Sequence, residues 1–435
     1  MNSIHKAILE HPRAPLRENH YYRWYPKSLT KFGEEFPSQT FSIEGVYIHI
    51  PFCDKICTFC PFIKGLSNEN EIQLFTKALL NEIKLYGNFT TSNGLSFINF
   101  GGGTPSVLNQ NQIAAILNEI DKNWSIDDKT EISLETHPTH ASIGRLKEFK
   151  KVGVNRISMG IQSFNPENLI LLGASHDSTQ SHDAVKNAGI IFENFAIDLL
   201  YSFKGQSMES WQSDVDTCLN LYSVPHISCY PIIPTSSKIT SVGIDDEIWL
   251  ALSAIEKSKE KGLYQYASCS SGGFDISIPG KECKYERGHW GAPQAKFIGF
   301  GPGAFGYLGK FTSANIPRTR DYITHLLDNK GFPLISLHEV SQLEQRHRYF
   351  SLGVKTYNIP FDPYIFEFHE HPAVRFQQQF NILQREGLAN ITSSELRLTE
   401  IGKLFVDDCS AIFFSESEMN VPHPEELEIA ILNKK

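Results

Sequence analysis

No apolar stretch in this sequence approaches the ~18 residues a helix needs to cross a bilayer, so no membrane-spanning segment is expected. The opening residues, MNSIHKAILEHPRAPLRENHYY, lack an apolar leader core, and a signal peptide is not expected either. Basic stripes are missing too. Lys and Arg number 40 against 49 Asp and Glu, a net charge of −9, so nucleic-acid binding is not expected. The eight cysteines do not form the framework of a secreted disulfide scaffold. Three crowd into one loop and the rest are scattered, which fits a reducing, cytoplasmic setting. Low-complexity segments are absent, as are internal repeats beyond a strand–helix alternation. What remains is an ordinary globular composition, 41% apolar and 20% charged, in a chain long enough for one large α/β domain and a smaller one.

The chain is organised around residues 47–62, YIHIPFCDKICTFCPF. Cys53, Cys57 and Cys60 stand at C-x3-C-x2-C spacing, directly after the β-prone run Val46-Tyr47-Ile48-His49-Ile50, which Pro51 closes. Three thiolates from one loop can each hold one iron of a cubane cluster, leaving the fourth iron open to a ligand. The competing reading is structural zinc, which wants four closed ligands and would have to recruit His49 from the strand.

Six strand-like runs follow one another at 46–50, 96–100, 131–135, 155–161, 195–201 and 226–232. Helical patterns separate them, the clearest being Glu71 to Tyr86, where Ile72, Phe75, Leu79, Ile83 and Tyr86 recur at helical steps. Such alternation predicts a parallel sheet with right-handed crossovers, and in parallel α/β barrels chemistry gathers at the C-terminal strand ends. Residues 1–44 read as an arm packed across the main domain or covering its site, with Tyr21, Tyr22, Trp24, Tyr25 and Phe32 as anchors. Residues 264–291 read as a long Gly- and Ser-rich loop in which His289-Trp290 faces substrate. The barrel is expected to span 45–309. A helical, winged-helix-like domain is expected over 310–435, where Leu396 to Leu404 reads as a wing strand leading into a helix.

Several strand ends carry chemistry. Gly101-Gly102-Gly103-Thr104-Pro105 closes the second strand, and its glycines let backbone groups approach a ligand. Glu135 ends the third strand, where a carboxylate can accept from a ribose or an ammonium. Gln162 ends the fourth. Asp198 lies in the apolar fifth strand, where it must find partners if buried. Cys229 and Cys269 read as small buried hydrophobes rather than reactive thiols.

The cysteine loop, with Phe59 before the third cysteine, resembles the radical S-adenosylmethionine (SAM) superfamily. Y-x-H-I-P-F-C, GGGTP, Glu135, the IQSF and IDLLY strands and the late glycine turn resemble its oxygen-independent coproporphyrinogen III oxidase-like branch. The resemblance implies a partial (β/α)6 barrel, a [4Fe–4S] cluster on Cys53, Cys57 and Cys60, and SAM. Gly102, Gly103, Thr104 and Glu135 would contact the first SAM and Gln162 and Asp198 a second. Tyr47 and Phe59 would touch the two SAMs, and Phe305 would supply an apolar SAM contact. It further implies reductive cleavage of SAM, with electrons from a flavodoxin- or ferredoxin-type donor, and a small-molecule substrate. The first expectation is methyl or methylene transfer to an sp2 carbon of an unsaturated or aromatic compound, with Asp198 impairing transfer when lost. The alternatives are a porphyrin enzyme, either haem-opening or decarboxylating, and a haem-binding chaperone on the same barrel, against which the long N-terminal arm argues. Two departures stand out: Ala174 occupies the place of a family Arg, and Pro61-Phe62 replace a further cysteine typical of the decarboxylases.

Overall fold

The computed structural model describes residues 29–33, 35–232, 239–268 and 272–415. The arm residues Tyr21, Tyr22, Trp24 and Tyr25, and Cys269, lie outside the described residues. The alternating pattern builds six parallel strands, β1 (Gly45–Ile50), β2 (Phe97–Gly102), β3 (Glu131–Thr136), β4 (Arg156–Gln162), β5 (Phe195–Tyr201) and β6 (His226–Pro231). Helices cross between them: α1 (Glu69–Gly87), α2 (Gln110–Asn123), α3 (Ile143–Lys151), α4 (Pro166–Leu172), α5 (Ser178–Ile191) and α6 (Met208–Asp216). Val46, Ile48 and Ile50 share a fully buried core with Phe75, Leu79 and Ile83 of α1, which leaves Tyr47 and His49 on the opposite face of the strand. Helix starts follow local chemistry. Asn68 caps α1 by accepting from the amides of Asn70 and Glu71, and Asn109 and Asp177 make capping boxes with Gln112 and Gln180.

The parallel core sits inside a twelve-stranded mixed sheet. Its order is β7 (Tyr264–Ala267), β8 (Phe274–Ser277), β6, β5, β4, β3, β2, β1, β9 (Phe297–Phe300), β10 (Phe305–Tyr307), β11 (Phe311–Asn315) and β12 (Leu334–Glu339). This is the expected α/β partial barrel. The stretch read as a loop over 264–291 is instead a hairpin of β7 and β8 followed by α8 (Lys284–Trp290). Short four-residue strands, one of which alternates Tyr264-Gln265-Tyr266-Ala267, were masked by the glycines and serines between them. The sheet also runs past residue 309, because β11 and β12 continue it as an antiparallel meander. Beyond it stand α9 (Thr319–Leu327, between β11 and β12), α10 (Gln342–Gly353), α11 (Asp362–Phe368) and α12 (Ala373–Arg385). A three-stranded antiparallel sheet of Asn358–Pro360, Glu395–Leu398 and Ala389–Ile391 accompanies them.

Lys31 bridges Ser336 on β12, and the Phe36 ring stacks on Phe332 at 4.3 Å. A second tie fixes the glycine turn after β9. Glu82 of α1, fully buried, accepts from the Gly301 amide at 2.9 Å, from Asn315 Nδ2 at 2.7 Å and from the Tyr322 hydroxyl. Burial pushes its carboxyl up to about 8 despite those donors.

Candidate cofactor site

Pro51 ends β1, and the chain turns into the cysteine loop at the C-terminal end of the parallel strands. The loop is seated by backbone bonds: Gly103 N to Ile50 O at 2.8 Å, Thr104 N to Phe52 O at 2.7 Å and Ser67 N to Cys53 O at 2.8 Å. Gly103 is needed there for space, since a Cβ would lie 2.8 Å from Phe52 O and 3.0 Å from Ile50 O. Gly103→Ala should therefore unseat the loop and weaken SAM binding about tenfold, or ~1.4 kcal/mol, by equilibrium dialysis of the reconstituted protein. Unchanged affinity would mean that the loop tolerates the shift.

Cys53, Cys57, Phe59, Cys60, Gly102, Gly103, Thr104, Glu135, Gln162 and Asp198 line one cavity, so most of the expected site converges. Tyr47 and Phe305 fall outside that lining. Tyr47 stacks on Tyr285 of α8 at 5.4 Å, and Phe305 opens β10 opposite Ala314. His289 and Trp290 are buried in α8 against each other, not at the cavity. Cys229 is buried on β6, as a small hydrophobe would be. Gln162 reaches the cavity through a strained backbone. Its φ is 65°, next to a register shift between Gly160 and Gln162, a conformation that costs a non-glycine residue and clusters at ligand sites.

The thiols are held apart by different partners. Thr104 Oγ1 donates to Cys53 Sγ at 3.3 Å, while Cys57 Sγ lies 3.4 Å from Ser175 Oγ. Burial pushes the thiols of Cys53 and Cys60 up, so thiolate here calls for a metal charge beside it. Among the described residues, no three His, Cys, Asp or Glu side chains converge on one point as a single ion requires. His49 spends Nε2 on the Ile63 carbonyl at 2.9 Å, and burial lowers it to about 4. His49 is thus not offered as the fourth ligand of a closed zinc site. Three thiols on one loop, each able to take its own iron, fit a cubane cluster.

Sequence reasoning missed five polar residues of the lining, Lys55, Lys64, Thr136, His137 and His176. His137 stands two residues past Glu135, the one local signal that could have found it. Its Nδ1 accepts from the Thr139 amide, so Nε2 donates to Ser175 Oγ at 2.8 Å. The turn after α4 delivers that serine. Gly173 takes φ 63°, Ala174 N bonds back to Leu169 O, and Thr58 Oγ1 donates to Leu172 O at 2.8 Å.

Below the cavity the barrel interior is polar. Asp198 faces Ser228 across β5 and β6, and Ser228 faces Asp275 across β6 and β8. Arg156 donates to Ser133 Oγ at 3.0 Å and to His226 Nδ1 at 2.7 Å. His226 is held neutral by burial and by Arg156, so its 3.5 Å approach to Asp275 is not an ion pair. Burial, reinforced by Asp275, lifts Asp198 to about 7. Burial, reinforced by Asp198 and Glu286, lifts Glu135 to about 8.

Three cysteine thiols and a glycine segment share one cavity at the C-terminal mouth of a partial parallel barrel. The family model of the radical SAM superfamily matches residues 47–218. The chain belongs to that superfamily, in its coproporphyrinogen III oxidase-like branch. It is 28% identical over 387 residues to the heme chaperone HemW of Bacillus subtilis, covering 86% of this chain and 100% of that one. With the heme chaperone HemW of Lactococcus lactis it shares 31% identity over 310 residues, 69% of this chain and 79% of that one. The solved coproporphyrinogen III oxidase (HemN) of Escherichia coli superposes with a TM-score of 0.77 at 21% identity, covering 93% of this chain and 98% of that one, which establishes the shared fold. The cofactors of this family are a [4Fe–4S] cluster and SAM. Among the described residues, no helix is long and apolar enough to cross a membrane.

Proposed function

We propose that this chain is a cytoplasmic haem chaperone on a radical SAM barrel, reversing the order of the expectations drawn from sequence. Cys53, Cys57 and Cys60 would hold the cluster, with Gly102, Gly103, Thr104 and Glu135 around SAM. When bound, the cluster supplies an electron for reductive SAM cleavage, drawn from a flavodoxin- or ferredoxin-type donor. The turn at residues 172–176 carries the reading at the site. Ala174 stands where the resemblance places a family Arg, and the turn spends its polar side chains within the protein, Ser175 on His137 and Cys57, His176 on the Ile161 carbonyl. The turn therefore supplies no cation for the carboxylate of a second SAM. Likeness over 86% and 69% of this chain to two proteins named as heme chaperones supports the same reading.

The test is titration of ferric haem into the reconstituted protein, with SAM turnover followed in parallel. Stoichiometric binding of haem, with no methyl group transferred from SAM, is the expected result. Methyl-deuterated SAM yielding S-adenosylhomocysteine and a methylated acceptor would overturn it in favour of the second reading, two-SAM methyl transfer. One observation favours that second reading: Gln162 and Asp198 share the cavity with the cysteines. Under it, Asp198→Ala should cut transfer to substrate more than formation of 5′-deoxyadenosine. Equal loss of both would remove Asp198 from a second SAM site.

A further inference from the structure

The segment that follows β3 ties to the cysteine loop twice. Its hub is the buried Ser106 Oγ, which accepts from the His137 amide at 3.1 Å and lies 3.0 Å from His140 Nδ1. With that hydroxyl donating to Nδ1, His140 presents Nε2–H to Asp54 Oδ2 at 2.8 Å, one residue past Cys53. His137 makes the second tie. Thr139 donates to its Nδ1 through amide and hydroxyl, which leaves the ring proton on Nε2, 2.8 Å from Ser175 Oγ. Burial, with His176 and His140 nearby, lowers His137 to about 3, so the ring is a neutral donor.

Ser175 accepts from His137, so its own hydroxyl proton is left for Cys57 Sγ at 3.4 Å. The donors then run in one direction, from His137 Nε2 to Ser175 Oγ to Cys57 Sγ. Each bond polarises the next, because a hydroxyl whose oxygen accepts an N–H becomes the stronger donor. The turn does not need this side chain for its own fold. The amides of Gly173 and Ala174 close the end of α4 on Ile170 O and Leu169 O, Thr58 Oγ1 holds Leu172 O, and His176 Nε2 holds Ile161 O. The hydroxyl of Ser175 is spent instead on a loop 118 residues away. Reduction adds negative charge to an iron–sulfur cluster, and the cysteine sulfurs share it. A donor aimed at one of those sulfurs therefore stabilises the reduced state more than the oxidised one, and hydrogen bonds to sulfur tune cluster potentials in this way.

We propose that Ser175 donates to the Cys57 thiolate, with His137 as the positioning residue behind it, and that the pair eases one-electron reduction of the cluster. The inference rests on the cluster held by Cys53, Cys57 and Cys60, and on neither reading of the substrate. The electron comes from the flavodoxin- or ferredoxin-type donor. The pair itself makes no covalent bond and transfers no proton.

The experiment is a mediated redox titration of the reconstituted full chain, followed by electron paramagnetic resonance, with iron per chain measured alongside. Ser175→Ala should make reduction about tenfold less favourable, a midpoint lower by ~59 mV for one electron. His137→Asn keeps an acceptor for the Thr139 amide but is too short to reach Ser175, and should lower the midpoint by about threefold, or ~28 mV. The double variant should fall no further than Ser175→Ala, since His137 acts only through the serine. Ser175→Thr, which retains the hydroxyl, should stay near wild type. An unchanged potential in either Ser175→Ala or His137→Asn would overturn the proposal, and if Ser175→Ala takes up no iron, His137→Asn carries the test alone. A fall in Ser175→Thr as large as in Ser175→Ala would overturn it too, because packing and not the hydroxyl would then set the potential. A wild-type chain with no cluster signal would overturn the cluster assignment itself.

Discussion

Alanine at any one of Cys53, Cys57 or Cys60 will strip the reconstituted protein of most of its iron and lower reductive SAM cleavage by at least about 100-fold, which is ~2.7 kcal/mol or more in the barrier. Each thiol is tied to a different partner. Cys53 is held by Thr104, Cys57 by Ser175, and Cys60 by the Phe62 backbone and Lys64. One thiol cannot swing across to serve a second iron without breaking those ties. His49, the histidine of the preceding strand, is committed to Ile63 and does not offer itself as a replacement. Iron and sulfide analysis together with the cluster's visible absorption reads the first effect. Product chromatography reads the second. A variant that kept full iron and full cleavage would move the cluster elsewhere in the chain. Serine at the same positions, with an oxygen in place of sulfur, should fall between alanine and wild type.

How much of this was written locally differs from residue to residue. Strands β1 to β6 were legible because their apolar runs end on turn residues and helical periodicities fill the gaps. Glu135 and Asp198 stood out as carboxylates in apolar strands, and both reach the cavity. Ser175 and His137 did not stand out, because their meaning comes from each other across 38 residues and from Cys57 across 118. No periodicity encodes such a contact. Tyr47 and Phe305 show the opposite limit. They were placed by resemblance, yet Tyr47 is turned to Tyr285 on a helix that the sequence presented as loop. The hairpin of β7 and β8 was hidden for a related reason. Its stability lies in pairing with β6, a long-range ladder between Asp275 and Ser228 rather than a local preference.

Arg156 carries the second large prediction. It is buried and its charge faces Asp198, Asp275 and Glu131, the last of which also faces Lys284, and burial pushes all three carboxyls up. Arg156→Met keeps the volume and removes the charge, leaving those acids uncompensated in a dry interior. Breaking such a buried arrangement from one side costs about 3–5 kcal/mol. The pH dependence follows from the direction of the shifts. Asp198 sits at about 7 in the fold against an ordinary 3.8, so the folded chain keeps a proton that the unfolded chain gives up. That contribution to stability is present in full below 3.8 and is lost as pH rises through 7. Without the guanidinium the folded carboxyls move higher still, and the loss extends further toward alkaline pH. The variant should therefore lie nearest wild type around pH 5 and furthest around pH 8, read as urea midpoints across that range. A deficit of the same size at every pH would mean that Arg156 serves by packing and by its bonds to Ser133 and His226, and not by its charge.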